Sequence, residues 1–213
     1  MTEPPFAHRV AMRMSSQHTN SPKTRSRAAL LILDAINPFD FPGSDDIAQA
    51  AVAASAVIAD LRDTADALGM PTIYVNDNYG HWGSERSQIV AEAAKGSETA
   101  AVIVGRLAPR SADYFVIKPQ FSGFYATNLT ALLDQLEIGR LVLTGYAADI
   151  CVLFTAADAH MRAYDLWIPT DAVASETGAH KQWALEIMAK SMDAAVEATR
   201  DLPLSAWVEG RKG

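Results

Sequence analysis

Apolar residues along this chain alternate between two rhythms. Ala28 to Leu33 is an unbroken apolar run ending in Asp34, the pattern of a strand buried on both faces of a parallel sheet. Asn37, Pro38, Pro42 and Gly43 punctuate a loop, and from Asp45 a helical pattern runs over Ile47–Leu68 to a stop at Gly69. The unit then recurs: a strand at Thr72–Val75, a loop over Asn76–Gly83, a polar helical stretch near Ser87–Ala94 and a third strand at Tyr114–Ile117. Leu129–Leu136 reads as helix, Leu141–Leu143 as strand, Ala148–Ala163 as helix and Leu166–Ile168 as strand, before a helix beginning near His180. Strands and helices alternating in this way predict an α/β fold. The expected form is a single-domain, three-layer α/β/α sandwich around a Rossmann-like, doubly wound, mostly parallel sheet.

Composition narrows the picture. The chain has 213 residues, 49% hydrophobic and 20% charged, which suits one globular domain and no second core. Its charge is uneven: residues 1–27 carry Arg9, Arg13, Lys23, Arg25 and Arg27 against the single Glu3, although the whole chain is at −7. The prediction is a disordered basic extension over 1–27, excluded from fold reasoning, followed by a folded domain over 28–213. An acidic body repels phosphate backbones, so no nucleic acid is expected as partner. The Ala-rich stretch after Asp46 is broken by Asp60, Arg62 and Asp63, so no membrane span is expected either. Cys151 is the only cysteine; no intrachain disulfide is possible, and a cytoplasmic setting is the natural one.

In open α/β sheets ligands bind beyond the carboxyl ends of the strands. Asp34 ends the first strand, Lys118 ends the third, and Cys151 lies in the first turn of the helix after the fourth. A thiol there meets unsatisfied backbone N–H groups and the positive end of the helix dipole, which favour thiolate and would also hold an oxyanion. Gly145 and Ala147 in the preceding turn are expected to leave space for a substrate carbonyl. The proton acceptor is not a histidine by this reading, since His160 lies nine residues on, about 13 Å along the helix axis. Asp34 is the better candidate, with its pKa raised by an apolar site and Lys118 holding the charges in place. Taken singly, Cys151 would read as inert core and Lys118 as a solvated strand end.

Three segments change that balance: LILDAINPF at 31–39, VIKPQFSGFYATNL at 116–129 and LTGYAADICV at 143–152. They resemble the signature segments of the isochorismatase-like cysteine hydrolases, and the likeness spans nearly all of residues 28–200. The resemblance implies a catalytic triad of Asp34, Lys118 and Cys151, a cis peptide at Tyr146–Ala147, and an oxyanion hole from the N–H groups of Ala147 and Cys151. It implies hydrolysis of a C–N bond in a small amide or ureido substrate through a thioester, without cofactor, by a homo-oligomer (dimer or tetramer). The nucleophilic thiol sets this chain apart from true isochorismatases.

Nicotinamidases of this superfamily carry an Asp-x-His-Pro-x-x-His zinc motif after the second strand. Aligned on Asp77, both histidine positions are taken by Tyr79 and Gly83, and His81 alone does not make up a three-ligand site. No metal is expected. Phe39, Asn78, Trp82, Phe121 and Tyr146 are the candidate substrate-binding residues. A zinc-dependent nicotinamidase, and a non-catalytic binding or redox-sensitive protein on the same fold, are the alternatives.

Overall fold

The computed structural model describes residues 22, 25–77 and 85–210. Among the described residues six strands form one sheet: β1 (Arg27–Leu33), β2 (Thr72–Asp77), β3 (Tyr114–Lys118), β4 (Ile138–Tyr146), β5 (Asp165–Trp167) and β6 (Val173–Ala174). The order is β3-β2-β1-β4-β5, with β6 paired to the end of β4, and every pairing is parallel. Successive strands run outward from β1 to β3, and the chain then returns to add β4 on the other side of β1. The resulting switch point between β1 and β4 is where such sheets open a crevice.

The strands are continuous apolar runs because both faces are covered, and side chains alternate between two cores. Leu30, Ile32, Tyr74, Val142 and Trp167 face α1 (Ser44–Ala67), α2 (Arg86–Ala93), α3 (Glu98–Leu107) and α7 (Leu204–Glu209). Leu31, Leu33, Ile73, Val75 and Leu143 face α4 (Leu129–Gln135), α5 (Leu153–Met161) and α6 (Gly178–Met192). The three-layer α/β/α arrangement is therefore the observed one.

Several details differ from the sequence reading. β1 begins at Arg27, and Arg25 pairs with Asp134 at 2.7 Å, so residues 25–27 belong to the folded body; the rest of the basic extension lies outside the described residues except Pro22. α3, α7 and β6 were not anticipated, and β4 is nine residues long rather than three. Arg62, read as an interruption of an apolar stretch, is buried. Its guanidinium donates to Tyr74 Oη (2.7 Å) and to the carbonyls of Arg106 (2.8 Å) and Ala108 (3.2 Å), tying α1 to β2 and to the end of α3. No helix among the described residues is long and apolar enough to cross a membrane.

Candidate active site

β1 ends abruptly at Asp34, whose φ of 49° turns the chain into the left-handed region, one that aspartate tolerates better than most residues. The turn is held from β2: the Asp77 N–H donates to Asp34 Oδ1 at 2.8 Å. Asn76, fully buried, clamps the next residues by accepting from the Ile36 N–H (3.1 Å) and donating to the Ile36 carbonyl (2.8 Å). Sequence reasoning missed this residue, because an asparagine at a strand end reads as turn chemistry.

Lys118 is the last residue of β3, in register with Asp77 of β2. Its side chain is 1% exposed, and its ammonium reaches Asp34 Oδ2 at 2.8 Å, the Gln120 carbonyl at 3.1 Å, Cys151 Sγ at 3.4 Å and Asp77 Oδ2 at 3.9 Å. Four partners account for one cation.

Cys151 arrives from β4. Gly145 adopts φ 108°, and a Cβ there would lie 2.0 Å from the Leu33 carbonyl oxygen. Its role is thus to let β1 and β4 approach, which corrects the expectation that it makes room for substrate. The Tyr146–Ala147 bond is cis. The chain then makes a π-helical turn over Ala148–Val152, in which the Val152 N–H reaches the Ala147 carbonyl at 3.1 Å, before α5 begins. Cys151 sits inside this wide turn, not in the first turn of an α-helix as the sequence suggested. His180, near the start of α6, brings Nδ1 to 3.5 Å from Asp149 Oδ2 in the same turn.

The protonation pattern follows from burial. Desolvation pushes the Asp34 carboxyl above its ordinary value, against the opposing pull of Lys118, Cys151 and the Asp77 N–H. Burial alone would lower Lys118, but the Asp34 carboxylate and then Cys151 and Asp77 outweigh it and hold the ammonium charged. The Cys151 thiol is pushed up, first by burial and then by the adjacent Asp34 carboxylate, with Lys118 opposing. This corrects the thiolate expectation: desolvation and the neighbouring Asp34 carboxylate raise the thiol. The resting site is a thiol beside a carboxyl group, with the Lys118 ammonium 3.4 Å from the sulfur and 2.8 Å from Asp34 Oδ2.

These three groups open into a cavity of about 340 Å³. Phe39, Phe41, Ile47 and Tyr146 form its apolar walls. The Phe39 ring lies edge-on to Tyr146 at 6.1 Å, and the Tyr146 hydroxyl is committed to the Ala51 carbonyl at 2.7 Å, so Tyr146 offers the cavity its ring alone. Phe121, 53% exposed, lies at the rim against Phe154. Ala147 also lines the cavity, as do Asp77 and Glu176; Glu176 was not singled out in the sequence. Asn78 and Trp82 lie outside the described residues, as does His81. Among the described residues no group of three or more His, Cys, Asp or Glu is placed to hold a metal ion.

Comparison with known proteins identifies the family. The Isochorismatase domain family matches residues 28–201. The uncharacterised isochorismatase family protein YaaI of Bacillus subtilis (strain 168) is 39% identical over 165 residues, covering 78% of this chain and 90% of that protein. Ureidoacrylate amidohydrolase RutB of Stutzerimonas stutzeri (strain A1501) is 30% identical over 158 residues, covering 62% and 64% of the two chains. The crystal structure of N-carbamoylsarcosine amidase from Thermoplasma acidophilum aligns with a TM-score of 0.63 at 26% identity, covering 83% of this chain and 99% of that one.

Proposed function

The chain belongs to the isochorismatase family, and we propose that it hydrolyses an amide or ureido C–N bond of a small molecule, with Cys151 as nucleophile, Asp34 as proton carrier and Lys118 as their electrostatic partner. The observation that carries this reading is the single ammonium of Lys118 lying 2.8 Å from Asp34 Oδ2 and 3.4 Å from Cys151 Sγ, at the floor of a cavity. Relatives named for ureidoacrylate and N-carbamoylsarcosine chemistry support the bond class.

The steps balance with these residues alone. Asp34 takes the thiol proton as Cys151 Sγ bonds to the substrate carbonyl carbon, and the oxyanion is held by the N–H groups of Ala147 and Cys151. Collapse breaks the C–N bond while Asp34 returns its proton to the leaving nitrogen, releasing ammonia or an amine and leaving a thioester on Cys151. A water then gives a proton to Asp34 and its oxygen to the acyl carbon; the C–S bond breaks, and the proton returns to sulfur. A carboxyl whose pKa is raised by burial suits both halves, since it must accept and then donate a proton near neutral pH. Lys118 stays charged throughout and keeps Asp34 from rising further.

The test is ammonia release from a panel of small primary amides and ureido compounds by the wild-type protein and by Cys151→Ala. Release by wild type alone is expected; equal release by both proteins overturns the thiol assignment.

A further inference from the structure

The cavity carries a charge imbalance that bears on what it accepts. Asp34, Asp77 and Glu176 line it, against Lys118 as the only Lys, Arg or His among the described lining residues. The Lys118 ammonium is already shared among Asp34, Asp77, Cys151 and the Gln120 carbonyl. Among the described lining residues a substrate carboxylate would find no free cation, and burying an unpaired charge is costly.

Glu176 is the lining carboxylate that has neither a role in the proposed chemistry nor an ion pair with Lys118. It follows β6 and immediately precedes Thr177, the N-cap of α6. Glu176 is exposed and lies against Gly43, the N-cap of α1; a Cβ on Gly43 would be 3.1 Å from Glu176 Oε1. The glycine therefore leaves room for this carboxylate, which lines the cavity. Glu176 has no ion pair among the described residues, while apolar walls from Phe39, Phe41 and Ile47 stand beside it. An acceptor without a cation, lining an apolar cavity with a nucleophile at its floor, is complementary to a distal ammonium or N–H donor.

We propose that Glu176 is a specificity-determining residue that selects amides or ureides carrying a cationic or N–H-donating group at the end remote from the scissile bond, and rejects those carrying a carboxylate there. This rests on the hydrolase reading above. A purely structural role, as an acidic partner for the amino terminus of α1, would affect stability instead of charge selection.

Because Cys151 is the only cysteine, thiol labelling reads the cavity directly. The probes are 2-aminoethyl, methyl and 2-sulfonatoethyl methanethiosulfonate: cationic, neutral and anionic reagents that transfer the same kind of thioalkyl group. Labelling rates are measured by intact mass for wild type, Glu176→Gln and Glu176→Lys, each normalised to a free small thiol and to the neutral reagent. The wild-type cation-to-anion preference is expected to exceed that of the free thiol by on the order of tenfold, to shrink in Glu176→Gln and to reverse in Glu176→Lys. A wild-type preference equal to that of the free thiol, or one unchanged in both variants, overturns the proposal while leaving the hydrolase reading intact. Failure of Cys151 to react with the neutral reagent in the folded protein overturns the hydrolase reading and this one with it.

Discussion

Lys118 holds its ammonium 2.8 Å from Asp34 Oδ2, and the two side chains are 1% and 10% exposed. Breaking a buried ion pair from one side leaves the other charge uncompensated, at a cost of about 3–5 kcal/mol. Asp34 escapes part of that cost by taking up a proton. The folded state of Lys118→Met then binds a proton more tightly than the unfolded state, so its stability falls as pH rises through the folded-state pKa of Asp34. Denaturant melts are expected to show Lys118→Met less stable than wild type by about 3 kcal/mol at pH 8, with a smaller deficit at pH 5. An equal deficit at both pH values would count against the pairing.

Asp34 must be ionised to accept a proton from Cys151, yet burial raises its pKa above the ordinary carboxylate value. The acid limb of kcat/KM is therefore expected above the ordinary carboxylate range, with activity lost as pH falls through the raised value. Asp34→Asn should lower kcat/KM by about 10²–10⁴ and remove that limb from the pH profile of Cys151 alkylation. An alkylation profile that keeps the same limb in Asp34→Asn would assign it to another group.

Asn76 makes two hydrogen bonds to Ile36, two residues beyond Asp34. Asn76→Ala leaves a buried N–H and a buried carbonyl without that partner, a loss of about 2–4 kcal/mol. Because the clamp fixes the turn that aims Asp34, kcat should fall more than KM rises. A stability loss without any change in kcat would show that the clamp supports the fold alone.

Arg62 offers the opposite case. Its hydrogen bonds to Tyr74, Arg106 and Ala108 lie among α1, β2 and α3, and it does not line the cavity. Arg62→Leu is expected to lower the unfolding free energy by about 2–4 kcal/mol, since it strips partners from a buried hydroxyl and two carbonyls. kcat/KM at 25 °C should stay within about twofold, because distant sites couple weakly. A large loss of kcat/KM with unchanged stability would overturn this separation.

The sheet was legible because strands buried on both faces appear as unbroken apolar runs, and Asp34 and Lys118 stand where those runs end. Cys151 could be placed near the same rim from the strand–turn–helix pattern alone. What escaped depends on tertiary contacts. α3 contains Val102, Ile103, Val104 and Gly105, residues whose local preferences oppose a helix, and packing against α1 decides the outcome. β6 is two residues long and exists only because β4 extends far enough to pair with it. The π-helical turn at Cys151 carries no local signature. The direction of the thiol's titration could not be read from a helix-end argument, because the burial and the carboxylate that oppose it come from other strands. Glu176 went unnoticed since its place in the cavity lining depends on β6, which was itself missed.

The most direct test of the account is intact mass spectrometry of the protein quenched in acid during turnover of an amide that it hydrolyses. The account predicts a population heavier than the free protein by the mass of the acyl group, mapped to the peptide containing Cys151, lost on incubation in water and absent from Cys151→Ala. Turnover with no such adduct under any quench time, together with undiminished ammonia release by Cys151→Ala, would contradict it.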